Sequence, residues 1–411
     1  MIEDFFRLSQ NFLKINNREY QRYFLKTNHL SNRFSIIVGQ RGIGKTTAII
    51  QNIIQTYQAD LFTPKALYIQ ADHFLVTKTS LYEIAEEFSN LGGELICFDE
   101  IHKYPNWSQE LKSINDTFPG LKIIASGSSA LEIYRGSHDL SRRAVVYRMF
   151  GLSFREFVEL TAGIRLNPVN LEVIIREHQP LTQAIINKVE KKKKKILALY
   201  KEYLEYGYYP YFLEFKDKTL FYLTLEQNIH ATLEMDLIAI YPSLNGNSIK
   251  KIKKLLSIIA SSVPFTPDLK KVKNLLDIGD ERTLKTYLKY LEDGGIILTV
   301  SRSGRGLRAL EKPEKIYLNN PNLIRAIASP TQANVGNIRE TFFLNMLKAF
   351  HEVSIPTQGD FLVDNRHLFE VGGKNKTFTQ IRNIRSSYLA VDGIEIGVKN
   401  KIPLWVFGFL Y

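Results

Sequence analysis

One short stretch, Gly39 to Thr46, constrains this chain more than any other. It follows an apolar run, residues 34–38, that is short enough to be one buried strand, and it precedes residues 47–54, whose apolar spacing is that of a helix packed on a sheet. The pattern G-x-x-x-x-G-K-T between a strand and a helix predicts a phosphate-binding loop (P-loop), in which backbone N–H groups and the helix N-terminus face an anion. The residues expected to form this loop are Gly39, Gln40, Arg41, Gly42, Ile43, Gly44, Lys45, Thr46 and Thr47.

In this loop, Lys45 is expected to reach the β- and γ-phosphates of a nucleotide, and the Thr46 hydroxyl is expected to bind Mg²⁺. A second motif supplies acidic side chains for the same site. The apolar residues 95–98 are followed by Asp99 and Glu100. A buried parallel strand delivers such residues at its carboxyl end, where α/β sheets bind ligands. We therefore expect Asp99 to hold Mg²⁺, and Glu100 to orient and deprotonate an attacking water.

Two further stretches are candidates to complete the site. An apolar run ends at Ser126 and Ser128, and either hydroxyl could touch the γ-phosphate or the attacking water, although a simple turn leaving a strand fits the pattern nearly as well. Arg143, in an arginine pair, could stabilise charge on the transferred phosphoryl group, in its own chain or toward a neighbouring subunit. An exposed arginine pair without a catalytic role is the alternative.

Composition narrows the class of protein. A chain of 411 residues is too long for one ordinary core, and its single cysteine, Cys97, excludes a disulfide framework. An acidic start and the lack of an apolar run of roughly 20 residues predict a cytoplasmic protein without a membrane partner. The formal charge of +12 and the pI near 9.4 favour a polyanionic partner. Five lysines at residues 191–195 supply part of this excess, although a solvated helix end explains that run at least as well.

Residues 246–311 follow a helix–helix–helix–hairpin pattern. Residues 248–259 and 267–276 fit two helices, and Asp280 caps a third, which Gly294 and Gly295 end. An apolar strand and a basic turn then complete the order of a winged helix-turn-helix, which predicts contact with double-stranded DNA, although winged helices also serve as protein-contact modules. The candidate DNA contacts are Arg282, Lys285 and Lys289 in the third helix, and Arg302, Arg305 and Arg308 in the turn.

Several longer runs carry a resemblance to a known family. With residues 39–47, the runs Cys-Phe-Asp-Glu-Ile-His-Lys-Tyr-Pro-Asn-Trp at 97–107 and Met-Phe-Gly-Leu-Ser-Phe-Arg-Glu-Phe at 149–157 resemble AAA-type P-loop ATPases of a bacterial and archaeal family. The resemblance covers nearly the whole chain, most firmly residues 35–160. It implies ATP as the nucleotide, a sensor role for the strand end at Ser126 to Ser128, a helical lid, a winged helix and a C-terminal domain of PD-(D/E)xK nuclease-like fold.

The same resemblance bears on nuclease activity. Nucleases of that fold hold Mg²⁺ with two carboxylates and place a lysine beside the scissile phosphate, and by resemblance Glu340, Asp360 and Glu370 match the acids. The usual lysine comes two residues after the second acid, where this chain has Gly372. Strand alternation keeps Lys374 on the face of Glu370, but its Cα is displaced by about 7 Å from the usual position. A domain used for binding or docking is therefore favoured over an active nuclease.

These observations predict an α/β protein built on a P-loop NTPase parallel sheet. The predicted domains are a P-loop ATPase domain at 1–160, a helical lid at 161–245, a winged helix at 246–311 and a small nuclease-like α/β domain at 312–411. The predicted function is Mg²⁺-dependent ATP hydrolysis coupled to domain movement and to DNA or an unknown protein partner, with the oligomeric state left open. The alternatives are an ATP-switched DNA-binding regulator with slow turnover and an ATP-gated nuclease.

Overall fold

The structure, a computed structural model, describes residues 1–57, 63–127, 140, 142–262, 264–302, 313–327 and 335–411. Three predicted site residues, Ser128, Arg305 and Arg308, lie outside these ranges. The chain divides into two compact units, one formed by Met1–Gly151 with Ala231–Leu244 and the other by Leu152–His230 with Asn245–Tyr411. The region predicted as a lid thus contributes to both units, and the four predicted domain boundaries stay a prediction.

A five-stranded parallel sheet organises the described part of the first unit. Its strands are β1 Phe34–Val38, β2 Ala66–Gln70, β3 Leu95–Asp99, β4 Lys122–Gly127 and β5 Val145–Arg148, in the spatial order β2-β3-β4-β1-β5. Every residue of β1 and β3 is buried, as the apolar runs predict for parallel strands covered on both faces. Because β4 lies between β1 and β3, the P-loop, Asp99 and Ser126 meet at the carboxyl edge of the sheet.

Helices complete the first unit. They are α1 Ile2–Asn16, α2 Tyr23–Thr27, α3 Lys45–Tyr57, α4 Leu81–Asn90 and α5 Trp107–Thr117. The apolar faces of α1, α4 and α5 share one hydrophobic core with the strands. Residues 231–244, called the return segment here, join this unit from a distant part of the chain. The return segment contains a π-helical turn, Thr232–Asp236, and the short helix Leu237–Ile240.

The second unit begins with helices and continues into a strand pair. Its elements up to residue 318 are α6 Phe154–Ala162, α7 Leu171–Glu190, α8 Ile196–Tyr206, α9 Lys218–Ala231, α10 Gly246–Ser261, α11 Leu269–Leu275, α12 Glu281–Asp293, β6 Ile297–Val300 and β7 Lys315–Leu318. Three helices followed by an antiparallel strand pair match the predicted order, but β7 lies beyond residue 311, where the predicted winged helix ends. Asp280 caps α12 as predicted, since its Oδ1 accepts a hydrogen bond from the Thr283 N–H at 2.8 Å. Assignment of this region as a winged helix stays a prediction.

The C-terminal part of the second unit contains a mixed sheet. Two helices, α13 Pro321–Ile327 and α14 Val335–Lys348, precede strands β8 Val353–Ser354, β9 Phe361–Val363, β10 His367–Gly372, β11 Ser387–Val391 and β12 Lys401–Pro403. The spatial order is β12-β11-β10-β9-β8. Strand β10 is central, antiparallel to β9 and parallel to β11. Across the described residues of both units, none of the helices combines the length and apolar character that a membrane span requires.

Candidate functional site

The P-loop curls tightly around its own lysine. Gly42 and Gly44 have φ values of 79° and 94°, which side-chain-bearing residues rarely adopt. A Cβ on Gly39 would lie 2.4 Å from the Met149 carbonyl oxygen, so the loop requires glycine there as well. Lys45 opens α3, and its Nζ donates hydrogen bonds to the carbonyl oxygens of Gly39 at 3.0 Å and Gln40 at 2.8 Å. The lysine thus spans the mouth of the loop, where a phosphate would bind.

Asp99 joins three strands and the P-loop helix through one carboxylate. Its Oδ2 accepts hydrogen bonds from Thr46 Oγ1 at 2.5 Å and from the Tyr68 hydroxyl at 2.6 Å. Its Oδ1 accepts from the Glu100 N–H at 3.1 Å and from the Ser126 hydroxyl. The side chain is almost completely buried, with Asp99 only 1% exposed. The structure therefore brings Thr46, Asp99 and Ser126 together, and it adds Tyr68, which our sequence reasoning missed.

Glu100 turns out of β3 in a strained conformation. Its φ of 53° is in the left-handed region, and the turn Ile101–Lys103 begins directly after it. The Glu100 Oε2 atom lies 3.3 Å from Lys103 Nζ, which also forms an ion pair with Asp72 at 2.5 Å. Non-glycine residues with positive φ cluster at functional sites, because the surrounding structure must hold them there. The carboxylate predicted to activate water thus forms an ion pair with a neighbouring lysine.

Nearby carboxylates counteract the effect of burial on the pKa of Lys45. Burial lowers the pKa of the Lys45 ammonium, whereas the carboxylates of Glu100 and Asp99 act to raise it. Arg41, inside the P-loop, also acts on this lysine, and its Nη2 donates to Asp236 Oδ1 of the return segment at 2.9 Å. The same Oδ1 lies 3.7 Å from His102 Nε2. No short-range sequence signal predicts the ion pair between Arg41 and Asp236, because these residues are 195 positions apart.

Arg143 lies away from this cluster. Its Nε donates to Asp116 Oδ1 at 2.7 Å, and both side chains are partly exposed. Asp116 lies in the last turn of α5, before β4 begins, and Arg143 lies shortly before β5. The P-loop lies at the carboxyl edge of the sheet, whereas parallel strands begin at the opposite edge. Arg143 and Asp116 therefore lie at the edge away from the P-loop. This corrects the expectation that Arg143 acts within its own chain, while a role toward a neighbouring subunit stays a prediction.

The basic residues of α12 share one exposed face. Arg282, Lys285 and Lys289 are exposed and spaced as neighbours along a helix, and the opposite face of α12 is buried. Arg302, after β6, forms an ion pair with Glu314 at 3.0 Å. The arrangement leaves a row of three positive charges on α12, which could face a polyanion.

The predicted nuclease-like acids lie among cations other than the predicted lysine. Burial raises the pKa of Glu340 and of Glu370, and the Asp360 carboxylate adds to the rise at both. Glu370 forms an ion pair with Lys376 Nζ at 2.5 Å, whereas Lys374 is exposed, which corrects the expectation for Lys374.

The turn after β10 explains this exchange of lysines. Strand β10 ends at Gly372, and the Lys376 N–H donates to the Gly373 carbonyl oxygen at 2.9 Å. The turn carries Lys376 back over Gly372, where a Cβ would lie 2.7 Å from the Lys376 side chain. Among the residues that the structure describes, no three His, Cys, Asp or Glu side chains are arranged to hold a metal ion. A domain used for binding or docking stays the prediction for this region, with nuclease activity as the alternative.

Two parts of the chain match known protein-family models. Residues 31–158 match a family model described as an AAA domain, and residues 197–334 match one described as a domain of unknown function. Two uncharacterized proteins of Methanocaldococcus jannaschii are 27% identical over 292 residues and 23% identical over 281 residues. These alignments cover 68% and 66% of this chain but 59% and 57% of the relatives, so the chain spans less than two thirds of their length.

Two solved structures align with this chain at low sequence identity and low structural similarity. The Walker-type ATPase of Pyrococcus abyssi aligns with a TM-score of 0.42 and 12% identity, covering 80% of this chain and 97% of that chain. DnaA of Aquifex aeolicus, bound to AMPPCP, aligns with a TM-score of 0.28 and 16% identity, covering 71% of this chain and 88% of the DnaA chain. The family match and the five-stranded parallel sheet support an AAA-type P-loop ATPase domain at residues 31–158.

Proposed function

We propose that the first unit binds ATP with Mg²⁺ and hydrolyses it. The observation that carries this proposal is the hydrogen bond between Thr46 and the buried Asp99 carboxylate, at the mouth of a loop that Lys45 spans. A hydroxyl and a carboxylate are hard oxygen ligands, which suit Mg²⁺, and this ion takes its other ligands from water and from nucleotide phosphates. Thr46 and Asp99 therefore fit the ion, which when bound would neutralise charge on the β- and γ-phosphates.

The remaining residues have distinct parts in the reaction. Lys45 exchanges its bonds to the two loop carbonyl groups for bonds to phosphate oxygens, and it is a strong donor because its surroundings exclude water. Glu100 orients a water and accepts its proton as the water oxygen bonds to the γ-phosphorus. The bond from the γ-phosphorus to the bridging oxygen breaks, which yields ADP and phosphate. Lys103 holds the Glu100 carboxylate in place for this step.

Glu100→Gln tests the proposal because it removes the base and keeps the shape of the side chain. We expect turnover of ATP to fall by about 100-fold or more, while a fluorescent non-hydrolysable ATP analogue binds with a Kd within about threefold of the unchanged protein. Glu86→Gln is the matched control, since Glu86 is exposed on α4 of the same unit. Equal turnover in the Glu100 variant and the control would contradict the assigned role.

A second candidate function, an ATP-switched DNA-binding regulator, is supported by the basic face of α12. Three exposed cations at helical spacing, in the third helix before an antiparallel strand pair, suit a polyanionic groove. Hydrolysis could then be slow, with the nucleotide state setting the affinity for double-stranded DNA.

Neutralising the three cations tests this candidate against general electrostatics. The triple variant Arg282→Ala, Lys285→Ala, Lys289→Ala is compared with Lys192→Ala, Lys193→Ala, Lys194→Ala, which removes the same charge from an exposed turn. Fluorescence anisotropy with a double-stranded DNA probe should show at least about a tenfold loss of affinity for the α12 variant and a smaller loss for the control. Equal losses would contradict a DNA-binding face on α12, and unchanged DNA binding in both would favour a protein partner.

A further inference from the structure

The P-loop carries an arginine that is tied to the return segment. Arg41 Nη2 lies 2.9 Å from Asp236 Oδ1, and the Asp236 side chain is 3% exposed. Burying a carboxylate costs free energy unless a cation and hydrogen bonds compensate for the lost water. The Arg41 guanidinium is one of the groups that compensate the buried Asp236 carboxylate, and the pair fixes one side of Arg41 beside the P-loop.

Arg41 keeps donors that its present partner does not use. A guanidinium group has five N–H donors in a rigid fork, and its Nε is buried without a hydrogen-bond partner among the described residues. An unpaired buried donor is costly, and an arriving phosphate oxygen would remove that cost. Arg22 also reaches the loop, but its Nη1 donates to the Ile43 carbonyl and its Nη2 to the Gly151 carbonyl, so its role is to brace the backbone.

Arg41 also belongs to the charge cluster that will meet the phosphates. Its partner Asp236 lies 3.7 Å from His102 Nε2, and that nitrogen lies 3.9 Å from Glu100 Oε2, so Arg41 and Glu100 are linked through two side chains. Arg41 lies in the P-loop, whereas Arg143, the arginine predicted to act on the phosphoryl group, is paired with Asp116 at the other edge of the sheet. A cation close to the γ-phosphate stabilises the charge that builds up on the transferred group.

We propose that Arg41 stabilises the γ-phosphoryl group during hydrolysis and that Asp236, on the return segment, is the residue that positions Arg41. This inference rests on the proposed ATPase function. In the reaction, Arg41 donates to a γ-phosphoryl oxygen while the bond to the attacking water forms and the bond to ADP breaks. Asp236 fixes the other side of the guanidinium fork. The catalytic state thus depends on the place of the return segment.

The test compares a transition-state analogue with a ground-state ligand. ADP with Mg²⁺ and aluminium fluoride mimics the transferring phosphoryl group, whereas ADP with Mg²⁺ alone does not. Arg41→Ala should lower kcat by about 100-fold and weaken the aluminium fluoride complex to a similar extent, with the Kd of ADP within about threefold. Arg41→Lys keeps the charge without the fork and should give an intermediate loss. Arg7→Ala, which breaks an exposed pair with Asp4, is the control.

Asp236→Asn tests the positioning role separately. We expect kcat to fall by about tenfold with KM for ATP within about twofold, and Asp236→Glu should recover part of the loss. A lower melting temperature with unchanged kcat would show that Asp236 only supports the fold, and would overturn its assignment.

The outcomes separate this inference from the function on which it rests. If the unchanged protein hydrolyses ATP and Arg41→Ala does so equally well, or if Arg143→Ala alone shows the loss, the assignment of Arg41 is wrong. If the unchanged protein binds ADP but neither hydrolyses ATP nor forms the aluminium fluoride complex, the proposed ATPase function fails and takes the inference with it.

Discussion

The hydroxyl of Tyr68 is predicted to hold the Asp99 carboxylate in its working orientation. It donates to Asp99 Oδ2 at 2.6 Å, and burial together with the Asp99 charge raises the pKa of Tyr68. The Tyr68 ring also packs on Phe12, with ring centroids 5.4 Å apart. Tyr68→Phe removes only the hydroxyl and leaves that packing in place. The variant therefore isolates the contribution of one hydrogen bond to Asp99.

The size of the effect follows from the hydrogen bonds that remain. A hydrogen bond to a charged group contributes about 1.5–3 kcal/mol. Asp99 keeps its bonds from Thr46, Ser126 and the Glu100 N–H, so the low end of about 1.5 kcal/mol applies. For a unit of this size, that loss should lower the melting temperature by about 3–6 °C. Loss of a group that orients a metal ligand should also raise the Mg²⁺ concentration needed for half-maximal turnover by about tenfold.

Tyr104→Phe is the matched control in the same unit. The Tyr104 hydroxyl donates to Glu110 at 2.9 Å, but Tyr104 is only half-buried. Thermal unfolding followed by circular dichroism, and turnover measured over a Mg²⁺ titration, give the two readouts. We expect a smaller loss of stability and no change in the Mg²⁺ requirement for the control. Equal effects of the two substitutions, or an unchanged Mg²⁺ requirement in Tyr68→Phe, would show that the Tyr68 hydroxyl does not orient Asp99.

The nuclease-like acids give two further predictions. Burial raises the pKa of Glu340 above its usual value of 4.5, so the folded protein favours the protonated carboxyl group. The stability that this group contributes is fully present below pH 4.5 and is lost as the pH rises through the raised pKa. Glu340→Gln should therefore gain melting temperature relative to the unchanged protein as the pH rises above 4.5, and a difference that does not change with pH would contradict this. Lys376→Met leaves the buried Glu370 carboxylate without its cation and should cost about 2 kcal/mol, less than for a fully buried pair because Lys376 is one third exposed. Lys374→Met should change the free energy of unfolding by less than about 0.5 kcal/mol, and equal costs in urea unfolding would contradict the pairing.

Local patterns in the sequence were enough to predict the phosphate end of the site. Apolar runs marked β1, β3 and β4 as buried parallel strands, and the carboxyl ends of such strands share one edge of a sheet. That rule alone predicts that the P-loop, Asp99 and Ser126 lie close together, and the structure places them so. The cap of α12 at Asp280 was also predictable, because side chains of this type bond the backbone three residues on.

Contacts between distant parts of the chain were not predictable in this way. Arg41 and Asp236 meet only because the return segment folds into the first unit, and the hydrophobic periodicity of the sequence does not predict that contact. Tyr68 reads as one more aromatic residue in an apolar strand until the register sets β2 beside β3. Its hydroxyl in a buried strand is the signal that could have indicated a polar partner, because buried tyrosine hydroxyl groups usually find one.

The expectation for Lys374 failed for a local reason. It assumed that β10 continues past Gly372 with alternating faces, but the strand ends there and a turn begins. Gly372 leaves room for the Lys376 stem, so the second lysine along reaches Glu370. The absence of a side chain at Gly372 was visible in the sequence, whereas the direction of the turn depends on packing.

Phosphate release from ATP by Lys45→Ala, compared with the unchanged protein, is the decisive measurement for the proposed ATPase site. Each protein is assayed with Mg²⁺ and again with the ion removed by a chelator. We expect steady release by the unchanged protein with Mg²⁺, loss of release without the ion, and at least about a 100-fold lower rate in the variant, because Lys45 is proposed to contact the transferred phosphoryl group. Release that persists in Lys45→Ala, or that is indifferent to Mg²⁺, would contradict the proposed site.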